Sequence, residues 1–354
     1  MAVVVPQTAT RFIDLATDGG CSKKADAGEL TSLLRNVAAN TGAAGIKELS
    51  ETFPDVGRSQ LGSSECMATV DILFPMVPDA EDFGRIVANH VLGDVYAAFG
   101  VPSFALSIVG VPYGLEASSP EVTQMLSGAI RHFESAGVRL LGGHTLAKQA
   151  DVSLGFAVVG TPMTGKRESI RKVQPGDPIF LTKPLGTSAA TLFWKLNDSQ
   201  DGAFQDVRSS MLKSSAASAS LLYRAGVNHC TDVTGFGLVN HLHRLMLRET
   251  SAAEIFFEQI VGFSSLDLYL ESGLPTSSLY LQNVDFASQF SNAFSASTHL
   301  KSALIFDAQV AGGLMFAYPT EVADALMRQF EQAGLELIRI GNVKQGTVGE
   351  VTIA

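Results

Sequence analysis

The chain has 354 residues, with 35 acidic against 25 basic side chains for a formal net charge of -10; 46% of it is apolar and only 17% charged. This composition excludes a disordered chain, and the acidic balance excludes unassisted binding to nucleic acid or to an anionic membrane. The length exceeds what one core of usual size serves, so two domains are expected.

The first residues, Met1-Ala2-Val3-Val4-Val5-Pro6, are too short an apolar run for a signal-peptide core, and Pro6 interrupts them. No run approaches membrane-spanning length. Cys21, Cys66 and Cys230 are far apart and form no CxxC pair, which fits a reducing compartment and a cytoplasmic location. Residues up to about 25 read as a loop-rich leader. It contains Gly19-Gly20-Cys21-Ser22-Lys23-Lys24. Two glycines pack nothing, and a lysine close to a thiol favours the thiolate. The run is either a mobile loop with an incidental cysteine or a reactive thiol.

A helix is expected over 29–39, then an irregular Gly/Ser-rich stretch over 40–65. Alternation gives a strand at 67–73, ended before Pro75. Phe83, Ile86, Val87, Val91 and Val95 recur at helical spacing over 80–99. A strongly apolar strand follows at 104–111. A helix over 120–137 has Ser118 or Ser119 as its cap and Pro120 near its first position. Strands are expected at 138–141 and 152–159. The segment 161–176, with Pro162, Gly165 and Pro175-Gly176, reads as the domain boundary. Beyond it come a strand at 179–182, helices at 188–196, 206–225, 237–247 and 321–333, and strands at 314–317, 335–341 and 348–353. The irregular mixing of strands and helices is an α+β pattern.

Three carboxylates sit in apolar surroundings: Asp71 in a strand, Asp94 in a helix and Asp232 in Thr231-Asp232-Val233-Thr234-Gly235-Phe236-Gly237. A buried carboxylate is costly unless paired, hydrogen-bonded or metal-bound. Any one of them alone reads as a cap or a hydrogen-bond anchor. Three together point to a divalent cation, and the lack of matching His/Cys clusters favours magnesium over zinc. His90, His241 and His243 read as solvated or structural. Gly142-Gly143-His144-Thr145 follows a strand and reads as a tight turn, or as backbone N–H groups offered to an anion. It matches neither the P-loop nor GxGxxG. Lys183, at the end of a strand, either meets a phosphate or caps the turn.

Taken in order, Gly20-Cys21-x-x-Lys24, Val70-Asp71-x-x-x-Pro75, Asp94-Val95-Tyr96-Ala97, Gly142-Gly143-His144-Thr145, Leu181-Thr182-Lys183-Pro184-Leu185-Gly186, the Asp232 segment and Gly312-Gly313-Leu314 resemble the selenophosphate synthetases (selenide, water dikinases). The resemblance runs from about Arg11 to the C-terminus. These enzymes share their layout with the aminoimidazole ribonucleotide synthetase superfamily, whose other members generally lack the Cys21/Lys24 element. The resemblance implies an α+β fold of two domains, with the N-terminal strands of two subunits closing a barrel across a homodimer. It divides the chain into an ATP- and metal-binding, dimerising domain at 1–163 with a mobile Cys/Lys leader, and a second α+β domain at 164–354. The implied reaction takes ATP, selenide and water to selenophosphate, AMP and phosphate. Cys21 is then the catalytic thiol, and Lys24 its partner, touching ATP phosphate. Asp71 and Asp94 match ATP-contacting positions, and Gly142, Gly143 and His144 an ATP-contacting turn reached from the other subunit. Asp94 and Asp232 hold magnesium.

The pattern also departs from the family. The usual Asp-Asp ahead of the Asp71 strand is here Phe53-Pro54-Asp55-Val56-Gly57-Arg58, which makes Asp55 the candidate third metal ligand. His90 stands where asparagine is usual, Ala147 where an acidic residue is, and Val310-Ala311 where Thr-Ser is. The alternatives are a non-catalytic nucleotide-binding paralogue and another ATP-dependent enzyme of the superfamily.

Overall fold

The computed structural model describes residues 11–17, 19–20, 24–25, 27–42, 46, 54–196, 204–270, 273–292 and 301–354. Two sheets organise them. The first comprises β1 (Gly57–Leu61), β2 (Ser64–Leu73), β3 (Gly100–Pro112), β4 (Arg139–Gln149) and β5 (Ser153–Pro162). Their order is β1-β2-β5-β3-β4. Neighbours are antiparallel except β3 and β4, which run parallel and are joined by the crossover helix Pro120–Ser135.

That helix and Ala80–Ala97 cover one face of the sheet. Their starts follow from local chemistry: Asp79 accepts the Asp82 N–H at 2.7 Å, and Ser119 accepts the Val122 N–H at 3.4 Å with Pro120 beside it. The two helices pack backbone to backbone. A Cβ on Gly84 would lie 1.8 Å from the Met125 carbonyl oxygen, so only glycine permits the approach. Phe83, Phe133 and Phe156 fill the layer between helices and sheet, the last two edge to face at 4.7 Å.

Among the described residues, no helix covers the opposite face. Val70, Ile72, Leu106 and Leu146 remain exposed on it. The sheet is open within one chain, with β1 and β4 as its edges. A barrel closed across two subunits remains an expectation.

The second sheet comprises β6 (Pro178–Leu181), β7 (Cys230–Asp232), β8 (Ala252–Ile255), β9 (Leu314–Ala317), β10 (Ile338–Lys344) and β11 (Val351–Ile353), in the order β11-β8-β10-β6-β9-β7. β6 and β9 are buried throughout and read as short continuous apolar runs. Helices Thr187–Leu196, Gly237–Glu249 and Thr320–Gln332 pack around them. No helix among the described residues is long and apolar enough to cross a membrane.

Four sequence expectations change. β1 lies in the stretch read as irregular; all five of its residues are exposed, so it has no apolar alternation to betray it. The Gly142–Thr145 segment is no turn but the middle of β4, paired with Leu106–Val109. The single helix expected over 206–225 is two, Gln205–Leu212 and Ala216–Arg224. Its interruption frees the Lys213 carbonyl to accept from Asn89 and Lys183. Strands β7 and β8 went unread: β7 has only three residues, and β8, Ala252-Ala253-Glu254-Ile255, is made mostly of residue types depleted in strands.

Candidate active site

Asp71 lies on β2, on the face that the helices cover. Lys24 Nζ meets its Oδ1 at 2.9 Å, and His90 Nε2 faces its Oδ2 at 3.5 Å. Burial pushes this carboxyl up, but Lys24 and then His90 outweigh burial and hold it well below the usual carboxylate range. Two residues back on the same side of the strand, Thr69 donates through Oγ1 to Asp94 Oδ2 at 2.6 Å. Asp94 stands one helical turn beyond His90 on Ala80–Ala97. Burial first, then the like charges of Asp232, Asp71 and Asp55, push it well above the ordinary value, against the pull of Lys24.

Asp232 arrives from the other sheet, at the end of β7. Its Oδ2 rests against helix Ala80–Ala97 at Gly93, where a Cβ would come within 2.8 Å of it. Its Oδ1 is buried and has no hydrogen-bond partner among the described residues. Burial, and next the charge of Asp55, raise this carboxyl to about 7. Asp55 precedes β1, accepts from Thr231 Oγ1 at 3.1 Å and pairs with Arg248 at 3.3 Å. Burial raises it too, opposed by Arg248, Thr231, Arg244 and Lys24.

The four aspartates and Lys24 therefore share one electrostatic neighbourhood at the junction of the two sheets. Among the described residues, no three His, Cys, Asp or Glu side chains form a ready-made metal-ligand group. Magnesium does not need one: it keeps waters and takes one or two carboxylates together with substrate phosphates. The donors here are hard carboxylate oxygens, and the orphaned Oδ1 of Asp232 wants a cation. That donor chemistry is of the kind magnesium takes.

The remaining sequence candidates divide. Lys183 is buried, and its Nζ donates to the carbonyls of Ser210, Lys213 and Ala311 at 3.0, 2.8 and 2.8 Å. Three acceptors match an ammonium's three N–H groups, so it ties backbone together; burial pulls its pKa down to about 7. Gly142 and His144 lie on the open face of the sheet, level with Val70 and Ile72, while Asp71 points to the covered face. Gly143 shares the face of Asp71 but stands three strands away, about 14 Å at ordinary strand spacing. Within one chain the Gly142-Gly143-His144 segment does not join the carboxylates. Cys21 lies outside the described residues. Just before it, Gly20 exchanges backbone hydrogen bonds with Phe74 at 2.9 and 3.1 Å, pinning the leader to the end of β2. The contacts of Thr69, Gly93, Arg248 and His90 were not foreseen; only His90 is singled out in the sequence, as solvated or structural and as standing where asparagine is usual.

Comparisons with known proteins agree with this layout. The models for the N-terminal and C-terminal domains of AIR synthase related protein match residues 57–161 and 174–354. A selenide, water dikinase of Carboxydothermus hydrogenoformans is 31% identical over 292 residues, covering 80% of this chain and 81% of the relative. One from Pasteurella multocida is 31% identical over 300 residues, covering 83% and 82%. Among solved structures, thiamine monophosphate kinase from Aquifex aeolicus superposes with a TM-score of 0.64 at 20% identity, over 91% of this chain and 96% of that one. A HypE-HypF complex gives 0.62 at 16%, over 91% and 95%. These structural likenesses show the shared α+β fold of two units. By its sequence relatives and its matched domains, the chain belongs to the selenide, water dikinase family of AIR synthase related proteins.

Proposed function

We propose that the protein makes selenophosphate from ATP, selenide and water, releasing AMP and phosphate. The observation that carries the reading is the Lys24–Asp71 ion pair, with Asp55, Asp94 and Asp232 near enough to act on one another's charge at the junction of the two sheets, in a chain of this family. Carboxylates alone would repel a triphosphate. Magnesium, when bound, supplies the positive charge that phosphoryl transfer requires. In this reading Asp55, Asp94 and Asp232 hold it. Asp71 and Asp94 face the nucleotide. Lys24, now paired with Asp71, offers a point charge that can turn to a phosphate oxygen. Cys21 acts as the thiol beside it, a role that rests on its place in sequence between Gly20 and Lys24.

The reading divides the chain at 163/164 and sets it in the cytoplasm, in keeping with three scattered cysteines. It also includes a homodimer. The open face of the first sheet leaves Val70, Ile72, Leu106 and Leu146 in water, and a contiguous apolar face of this kind asks for a cover. A second copy laid there would complete a barrel and carry Gly142, Gly143 and His144 toward the neighbouring site.

Phosphorus NMR of the purified chain with ATP, magnesium and selenide under anaerobic conditions tests the reading. Selenophosphate, AMP and phosphate should appear together. Nucleotide binding without AMP formation would overturn it. In Cys21→Ser, selenide-dependent turnover should vanish while nucleotide binding persists.

A further inference from the structure

Ala311, in the loop before β9, has φ +48, a left-handed conformation that disfavours any side chain. Its peptide is gripped on both sides. The N–H donates to His90 Nδ1 at 2.9 Å, and the carbonyl accepts from Lys183 Nζ at 2.8 Å. Since Nδ1 accepts, the ring proton sits on Nε2, the nitrogen that faces Asp71 Oδ2 at 3.5 Å. The preceding residue, Asn89, donates to the Met211 and Lys213 carbonyls at 2.7 and 3.0 Å, and the second of these is shared with Lys183. One connected network thus runs from the second sheet through a strained peptide to the carboxylate on β2. His90 is its last member and is 1% exposed.

We propose that His90 is a positioning residue for the reaction. Fixed in one tautomer by the Ala311 N–H, it orients Asp71 toward the nucleotide and makes that orientation depend on how the Ala311-Gly312-Gly313 loop sits. The inference rests on the reading that Asp71 meets ATP. A buried histidine that merely fills space and ties backbone would hold the fold together without altering nucleotide affinity.

Two variants of the full chain separate these roles. In His90→Asn the side-chain oxygen falls where Nδ1 is, keeping the Ala311 contact but stopping short of Asp71. In His90→Gln the amide nitrogen reaches the place of Nε2, and the Asp71 contact is kept. Calorimetric titration with magnesium-ATP, steady-state kinetics and thermal melting are read on both. We expect His90→Asn to raise Kd and KM for ATP roughly tenfold to a hundredfold, with His90→Gln restoring both to within about threefold of the parent. In both, kcat should change less than KM; His90→Gln, which leaves the Ala311 N–H without its acceptor, should melt below His90→Asn while binding ATP more tightly, so that affinity and stability part company. Equal ATP affinity in parent and both variants, or losses that simply follow the melting temperature, would overturn the inference alone. A parent chain that binds no magnesium-ATP would remove the reading beneath it, and the inference with it.

Discussion

Replacing Asp232 by asparagine should stabilise the metal-free protein while crippling it. The carboxyl lies near 7 in the fold against 3.8 in an unfolded chain. Because the folded value is raised, the folded state holds a proton that the unfolded state has released. The resulting stability is full below 3.8 and is lost as pH rises toward 7. By pH 8 the ionised group costs about 4 kcal/mol relative to a neutral side chain. Asparagine has the same shape and no charge. Urea unfolding in EDTA should therefore show Asp232→Asn more stable than the parent by about 2 to 4 kcal/mol at pH 8. At pH 5 the parent's carboxyl is mostly protonated, and the gain should fall to about 1.5 kcal/mol. Asp55 and Asp94 are raised in the same direction, so the variant keeps part of the pH slope. Magnesium-ATP should raise the parent's stability at pH 8 and leave the variant's nearly unchanged. An Asp232→Asn protein less stable than the parent at pH 8 in EDTA, or equally stabilised at both pH values, would refute the reasoning.

Three further substitutions have defined outcomes. Lys183→Met removes a donor from three buried carbonyls; those of Ser210 and Lys213 keep second donors at 3.1 and 3.0 Å, and the cost of burying an ammonium is recovered. The net loss should be about 2 kcal/mol by chemical denaturation, and a variant as stable as the parent would contradict the carbonyl-tying role. Gly93→Ala improves helix propensity but sets a methyl 2.8 Å from Asp232 Oδ2; calorimetry should find magnesium-dependent ATP binding weakened roughly tenfold with the melting point nearly unchanged. Gly84→Ala places its Cβ 1.8 Å from the Met125 carbonyl oxygen and should destabilise the chain by about 3 kcal/mol, read as a lowered thermal midpoint, by forcing two helices apart.

The parts legible in the sequence are those whose cause is local. Helix Ala80–Ala97 declared itself through its apolar spacing, and Pro120–Ser135 through Ser119 and Pro120. Asp71, Asp94 and Asp232 stood out because an ionisable group in an apolar run needs a partner. What stayed hidden was set by distant chain. The break at 213–215 owes its shape to Lys183 and Asn89, far upstream. His90 acquires its role from Ala311, 221 residues on. Gly142-Gly143-His144 resembled a turn because an exposed edge strand shows no alternation, and only the pairing with Leu106–Val109 makes it a strand.

The separation of β4 from β2 has a genetic consequence. In the proposed pairing, one subunit contributes the aspartates of a given site and its neighbour contributes His144. A chain defective at Asp71 and a chain defective at His144 are each inactive as pure dimers. Mixed in one cell, they assemble a hybrid in which one site inherits both lesions and the other inherits neither. Two dead alleles would then complement, and recovered turnover should approach a quarter of the parental level: half the dimers are hybrids at random assortment, each with one intact site of two.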